Sequence, residues 1–206
     1  MTRAAKAGWA VVLVGLGAGG AGLAIQLAHG FSARDEPTAL EAFVARRLRN
    51  FSIPRAHRDA RNPVALTPVV LARAREHFAD HCASCHGNDG RGQTTVGRNL
   101  YPKAPDMHLA DTQQLPDGHL FWIIKNGVRL TGMPAWGEDT PADDITTWEL
   151  VHFVRHLPKL TPEELAEMRE FNPRGRRDWE AAEAERRFLE GGEVAPAPPS
   201  PSHAGH

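Results

Sequence analysis

Both cysteines of this 206-residue chain lie in one heptapeptide, His81-Cys82-Ala83-Ser84-Cys85-His86-Gly87. Two thiols three residues apart with imidazoles on either side suit three chemistries: zinc binding, dithiol exchange, or covalent attachment of a haem. A structural zinc takes four ligands. Cys82, Cys85 and His86 supply three, His81 is the only local fourth, and there is no second cysteine pair. A thioredoxin-type dithiol belongs beside a βαβ unit, and no strand-like alternation occurs along the chain. The order Cys-x-x-Cys-His is the attachment pattern of c-type haem. On a helical turn Cys82 and Cys85 stand close together and reach one edge of a porphyrin, while His86 aims its imidazole at the iron from one face.

A haem held in this way has a second axial position. Met133, in Leu130-Thr131-Gly132-Met133-Pro134, is the expected occupant. A thioether opposite an imidazole is a usual electron-transfer pairing and raises the reduction potential. Gly132 and Pro134 describe an irregular loop, where an apolar side chain has little reason to be placed for packing alone. Met107, in Ala104-Pro105-Asp106-Met107, is the rival, and Met168 falls in a charged C-terminal stretch.

The elements that must position these residues are all helical. Thr67 caps a helix with Pro68 at its first position. Val70, Ala74, Phe78 and Cys82 give that helix one face to bury, continuous through the cysteine motif. Gly- and Pro-rich loops run from Gly87 to Pro105. A short helix follows over PDGHLFWIIKNGV, with Asp117 placed to cap it and Gly127 to end it. The last helix of the domain begins near Pro141 and stops before Pro158. These define a haem domain over residues 67–160. Residues 31–66 form a connector, with a helix from Pro37 carrying Leu40, Phe43, Val44 and Leu48, then an extended crossing segment around Pro54 and Pro63. This segment is either a spacer wrapping the domain or a loose linker. A charged helical extension covers 161–190, starting at Thr161-Pro162-Glu163-Glu164, broken at Asn172-Pro173 and resuming over DWEAAEAERRFLE. Residues 191–206 form a Pro- and Gly-rich tail expected to be disordered.

Residues 1–30 set the compartment. Arg3 and Lys6 precede an apolar run from Ala7 to Ala28 interrupted only by Gln26, and about 20 such residues span the hydrocarbon core. This is an N-terminal transmembrane anchor; a cleaved signal peptide is the alternative, although Ala28-His29-Gly30 is a poor cleavage site. Either way residues 31–206 cross the membrane, with Arg3 and Lys6 staying in the cytoplasm and the haem domain in the periplasm. Gly15-Leu16-Gly17-Ala18-Gly19-Gly20 matches a dinucleotide fingerprint, but no second strand follows it. The formal net charge of −1 gives no signal for nucleic acid.

Taken together, the helix AREHFADHCASCHG, the helix DGHLFWIIKNGV, the loop TGMPAWG and the helix ITTWELVHFVRHL resemble the class I c-type cytochromes, in particular membrane-anchored bacterial monohaem members. The resemblance implies a small all-α cytochrome c fold around one covalent haem c. It implies that the first and last helices cross closely, with Phe78 and Phe153 at matching aromatic positions and Ala74 where the family often has glycine. It also implies a proline carbonyl accepting from the second nitrogen of His86, for which Pro102 and Pro105 are both candidates. Arg98, Asn99, Tyr101 and Trp136 are candidates for propionate partners or pocket walls. The pairs His77/His81 and His152/His156 are candidates for a second metal site, and His203 and His206 for weak metal binding.

The functional expectation is a non-enzymatic electron carrier on the bacterial inner membrane. Cys82, Cys85, His86 and Met133 bind the haem, and His86 and Met133 close both axial positions. Its partners are redox proteins of a respiratory chain or membrane dehydrogenase. The alternative is a haem subunit or enzyme, a peroxidase or gas-sensing domain, in which the sixth ligand is displaced.

Overall fold

The computed structural model describes residues 2–28, 30, 32–173, 175, 183, 184, 186, 187 and 189. The resumed helix expected over DWEAAEAERRFLE lies largely outside the described residues, and the 191–206 tail lies wholly outside them. Among the described residues every regular element is helical. In chain order these are α1 (Arg3–Ala28), α2 (Ala39–Ser52), α3 (Arg55–Arg58), α4 (Pro68–His77), α5 (Ala83–His86), α6 (Ala110–Gln113), α7 (Asp117–Asn126), α8 (Pro141–His156) and α9 (Pro162–Phe171). A π-helical turn, Phe78–Cys82, joins α4 to α5. Within α1 the stretch Ala5–Ile25 is long and apolar enough to cross a membrane and is nowhere buried against the rest of the chain.

Close packing of α4 against α8 builds the core. Thr67 caps α4, its hydroxyl accepting from the Val70 N–H at 3.2 Å, and Thr140 does the same for α8 through Asp143. Ala74 is fully buried at the crossing, and Phe78 meets Phe153 with ring centroids 5.0 Å apart. The methyl of Ala74 is therefore accommodated at the crossing. On the other side of α8, Leu120 and Phe121 of α7 pack with Trp148, Val151 and Val154, and Phe121 stacks on Trp148 at 4.2 Å.

Asp117 does not cap α7. It is the first helical residue, and its carboxylate pairs with Arg155 of α8 at 2.8 Å. Arg155 also donates to the carbonyl of Gln113 at 2.6 Å, so α8 holds the entry to α7.

Two flanking segments are tied to this core. In α9, Met168 is fully buried despite its charged sequence surroundings. Arg75 and His156 both reach Glu164 at 3.0 Å, and Arg75 also pairs with Glu167. Thr161 and Glu164 form a reciprocal capping box. The connector is a fixed strap. Ile53 is buried, Asn62 donates to the Trp148 carbonyl at 2.8 Å, and His152 bonds the Val64 carbonyl at 2.7 Å. The strap backbone passes directly over α7, where a side chain at Gly118 would collide with the His57 carbonyl. Pro37 is not the first residue of α2; Thr38 caps it with a second capping box to Glu41.

Candidate functional site

The cysteine motif begins where the helix changes its winding. A recurrence of four residues runs ahead of the 3.6 of an α-helix, so a straight helix would carry Cys82 off the Val70–Ala74–Phe78 face. The π turn bonds the Ala83 N–H to the Phe78 carbonyl, five residues back, and this wider turn realigns the stripe. Only the recurrence of four hinted at this in the sequence.

Cys82, Cys85 and His86 then fall on one short helical segment. Both thiols are half-buried and free, with no disulfide between them. Burial, reinforced by the neighbouring Cys85, pushes the Cys82 thiol up to about 12. That is opposite to the depressed thiol of a redox dithiol. His86 is 8% exposed, and burial alone pushes its imidazole down to about 4. It is therefore the neutral base that metal ligation requires. Its Nδ1 is buried and has no hydrogen-bond partner among the described residues. The ring lies 6.5 Å from Phe78, which in turn packs on Phe153, so the imidazole is backed by the α4–α8 core.

The chain after His86 folds tightly over the motif. The Gly92 N–H donates to the His86 carbonyl at 2.7 Å, and the Thr94 hydroxyl donates to the Cys85 carbonyl at 3.0 Å. Gly97 sits so close to the Cys85 carbonyl that no side chain fits between them.

Met133 arrives from the other direction, on the loop leaving α7. Gly127 ends that helix at φ +65°, a conformation costly for any other residue. The loop closes on itself: Val128 N–H donates to the Met133 carbonyl at 3.1 Å, and the Met133 N–H donates to the Thr131 hydroxyl at 3.1 Å. Leu130 takes φ +62° and is 92% exposed, a strained position at the loop tip.

Two contacts bring this loop to the motif. Trp136 sits edge-on to His81 with centroids 5.6 Å apart, and the Gly132 backbone lies against the Leu100 side chain of the post-motif loop. Met133 itself is half-buried. The Trp136–His81 pair was invisible in the sequence, although Trp136 was a candidate wall residue.

The other candidates are engaged elsewhere. Met107 packs against both core clusters, with its N–H donating to the Gly90 carbonyl at 2.9 Å. Arg98 and Asn99 donate to the nearby carbonyls of Gln93 and Thr95, and the Tyr101 hydroxyl donates to Glu41. His77 and His81 adjoin at 4.7 Å, but His152 and His156 are bonded to Val64 and Glu164. Among the described residues no three His, Cys, Asp or Glu side chains converge to hold a metal ion. His203 and His206 lie outside the described residues.

The donor set fits a c-type haem: two free thiols at the attachment spacing, a neutral buried imidazole with an orphaned nitrogen, and a thioether on a loop that meets the motif through Trp136 and His81. An all-helical domain with this motif is similar to the class I c-type cytochromes. Residues 70–154 match the family model described as cytochrome c oxidase, cbb3-type, subunit III, a c-type cytochrome domain. Comparison with curated proteins gives no match.

Proposed function

We propose that the protein is a membrane-tethered electron carrier holding one covalently bound haem. Cys82 and Cys85 form the two thioethers, and His86 and Met133 take the two axial positions. Bound there, the haem supplies one-electron exchange between ferrous and ferric iron. The residues around it fix its position and close it to other ligands. The thioethers prevent loss of the cofactor, the Phe78–Phe153 stack holds the His86 ring, and the Trp136–His81 contact holds the TGMP loop in place.

With both axial positions filled from the chain, no position is left for oxygen or peroxide, which favours electron transfer over catalysis. The N-terminal span keeps the carrier at the periplasmic face of a bacterial inner membrane with Arg3 and Lys6 on the cytoplasmic side. The oxidase-subunit description of the matching family favours a respiratory donor or acceptor.

The observation that carries this reading is the approach of the Met133 loop to the Cys82–His86 helix through Trp136 and His81. The test is protein made with c-type maturation machinery. One haem per chain retained after acid–acetone extraction, with a low-spin spectrum in both oxidation states, is expected. A colourless protein carrying one zinc, or a high-spin ferrous form binding carbon monoxide rapidly, would refute it.

A further inference from the structure

The second helix is mounted inside out. In α2 the apolar residues Leu40, Phe43, Val44, Leu48 and Phe51 recur at helical spacing and form one stripe. A surface helix ordinarily turns such a stripe toward the core. Here every member of it faces outward, from 43% exposed at Val44 to 76% at Phe51, and no residue of α2 is buried.

The opposite, polar face is the one that meets the domain. Arg46 pairs with Asp111 at 3.0 Å, and Arg49 is half-buried, its guanidinium shifted down by burial and by Arg46. On the flank the Tyr101 hydroxyl donates to Glu41 at 3.3 Å. Satisfied charges hold the helix, while its apolar side has no partner among the described residues.

Two observations say what covers that side. The tether to the membrane span is short. Lys103 donates to the carbonyls of Ala33 and Arg34 at 2.7 and 3.2 Å, pinning the connector to the haem domain. The five peptide units from Ala28, the end of α1, to Ala33 reach at most about 17 Å. The domain is therefore held against the bilayer whatever else it touches. The stripe also carries one cation, Arg47, lying over the Phe43 ring at 5.1 Å. An arginine beside aromatic and aliphatic groups places its stem among acyl chains and its guanidinium at phosphate level.

We propose that α2 is an interfacial helix. Its Leu40–Phe51 stripe lies in the headgroup region of the outer leaflet, and Arg47 pairs with lipid phosphate. The helix thereby fixes which side of the haem domain faces the membrane and which faces redox partners. This rests on the anchored reading of α1 but assigns a second, separate membrane contact.

The test uses the full-length, haem-loaded protein in nanodiscs of phosphatidylethanolamine and phosphatidylglycerol. An environment-sensitive fluorophore is placed on single added cysteines: Leu48→Cys or Val44→Cys on the stripe, Ala45→Cys off it, and Val14→Cys within α1. Unsubstituted protein is the control. Labelling of it would report free native thiols, a failure of haem attachment rather than of this proposal. Lipid-borne nitroxide should quench the Leu48 label at least about threefold more than the Ala45 label, with iodide showing the reverse. Adding Phe43→Glu should bring the Val44 label down to the Ala45 level without changing the haem spectrum. Equal iodide access at Leu48 and Ala45 would overturn the proposal. So would shielding of Leu48 in native membranes but not in lipid discs, which would assign the stripe to a protein partner. Water exposure of the Val14 label would indicate failure of the anchor instead.

Discussion

The two segments that converge on the candidate haem are held in different ways. His86 stands at the end of a helix whose previous turn is locked into the α4–α8 crossing, with Phe78 and Phe153 behind it. Met133 hangs on a loop closed by a few local hydrogen bonds, with a strained residue at its tip and one ring contact to the opposite wall. One proposed ligand is part of the core and the other is placed on it. The imidazole side should therefore respond to changes in global stability, and the thioether side to local loosening. Any departure from electron transfer toward ligand binding must begin on the methionine side.

This contrast can be broken most severely at the covalent link. Replacing both Cys82 and Cys85 by alanine should reduce acid-resistant haem from one per chain to none, whatever happens to ligation. On the imidazole side, Phe153→Ala removes a fully buried ring and should cost about 3–5 kcal/mol in a denaturant titration. The spectrum of the remaining folded protein should keep both axial ligands.

On the thioether side, Thr131→Val deletes the acceptor of the Met133 N–H and the hydroxyl donating to the Val128 carbonyl at 2.7 Å. The local cost is about 1 kcal/mol. It should appear as a roughly fivefold rise in affinity for added imidazole, with unfolding stability falling by no more than that same amount.

An effect no larger, and one that shrinks in acid, lies at the clasp between α9 and the core. Burial alone would raise the Glu164 carboxyl, but the Thr161 N–H, His156 and Arg75 outweigh it and hold it below the ordinary carboxylate range. A carboxyl with a lowered folded pKa contributes stability above its unfolded value and loses it as pH falls through the folded one. The contribution should thus be present at neutral pH and fade below 4.5, the unperturbed value. Glu164→Gln should cost about 1 kcal/mol at pH 7 and progressively less in acid.

Local rules made much of this architecture legible in the sequence. Thr67-Pro68 and Thr161-Pro162 announced their helices through side-chain caps, and Phe78 with Phe153 announced the crossing through the family resemblance. What stayed hidden depends on three-dimensional partners. The apolar stripe of α2 was visible, but its outward direction was not, because it is set by Arg46, Glu41 and the pinned connector. Asp117 looked like a cap and turned out to be a partner of Arg155, a residue far along the chain. Pro63 suggested an extended segment, yet nothing local revealed that Asn62 and Val64 dock on α8. At the site, the motif nominated three candidate groups by spacing alone. The neighbourhood of Met133 required Trp136 to meet His81, a contact between helix and loop that no periodicity encodes.

The central claim is that Met133, not Met107, stands opposite His86. The ferric protein should show the weak far-red band of methionine-to-iron charge transfer. Met133→Ala should abolish that band and lower the reduction potential by on the order of 0.1–0.2 V, within the roughly 0.8 V that axial ligands command. Met107→Ala should retain the band. Persistence of the band in Met133→Ala, or its loss in Met107→Ala alone, would contradict the assignment.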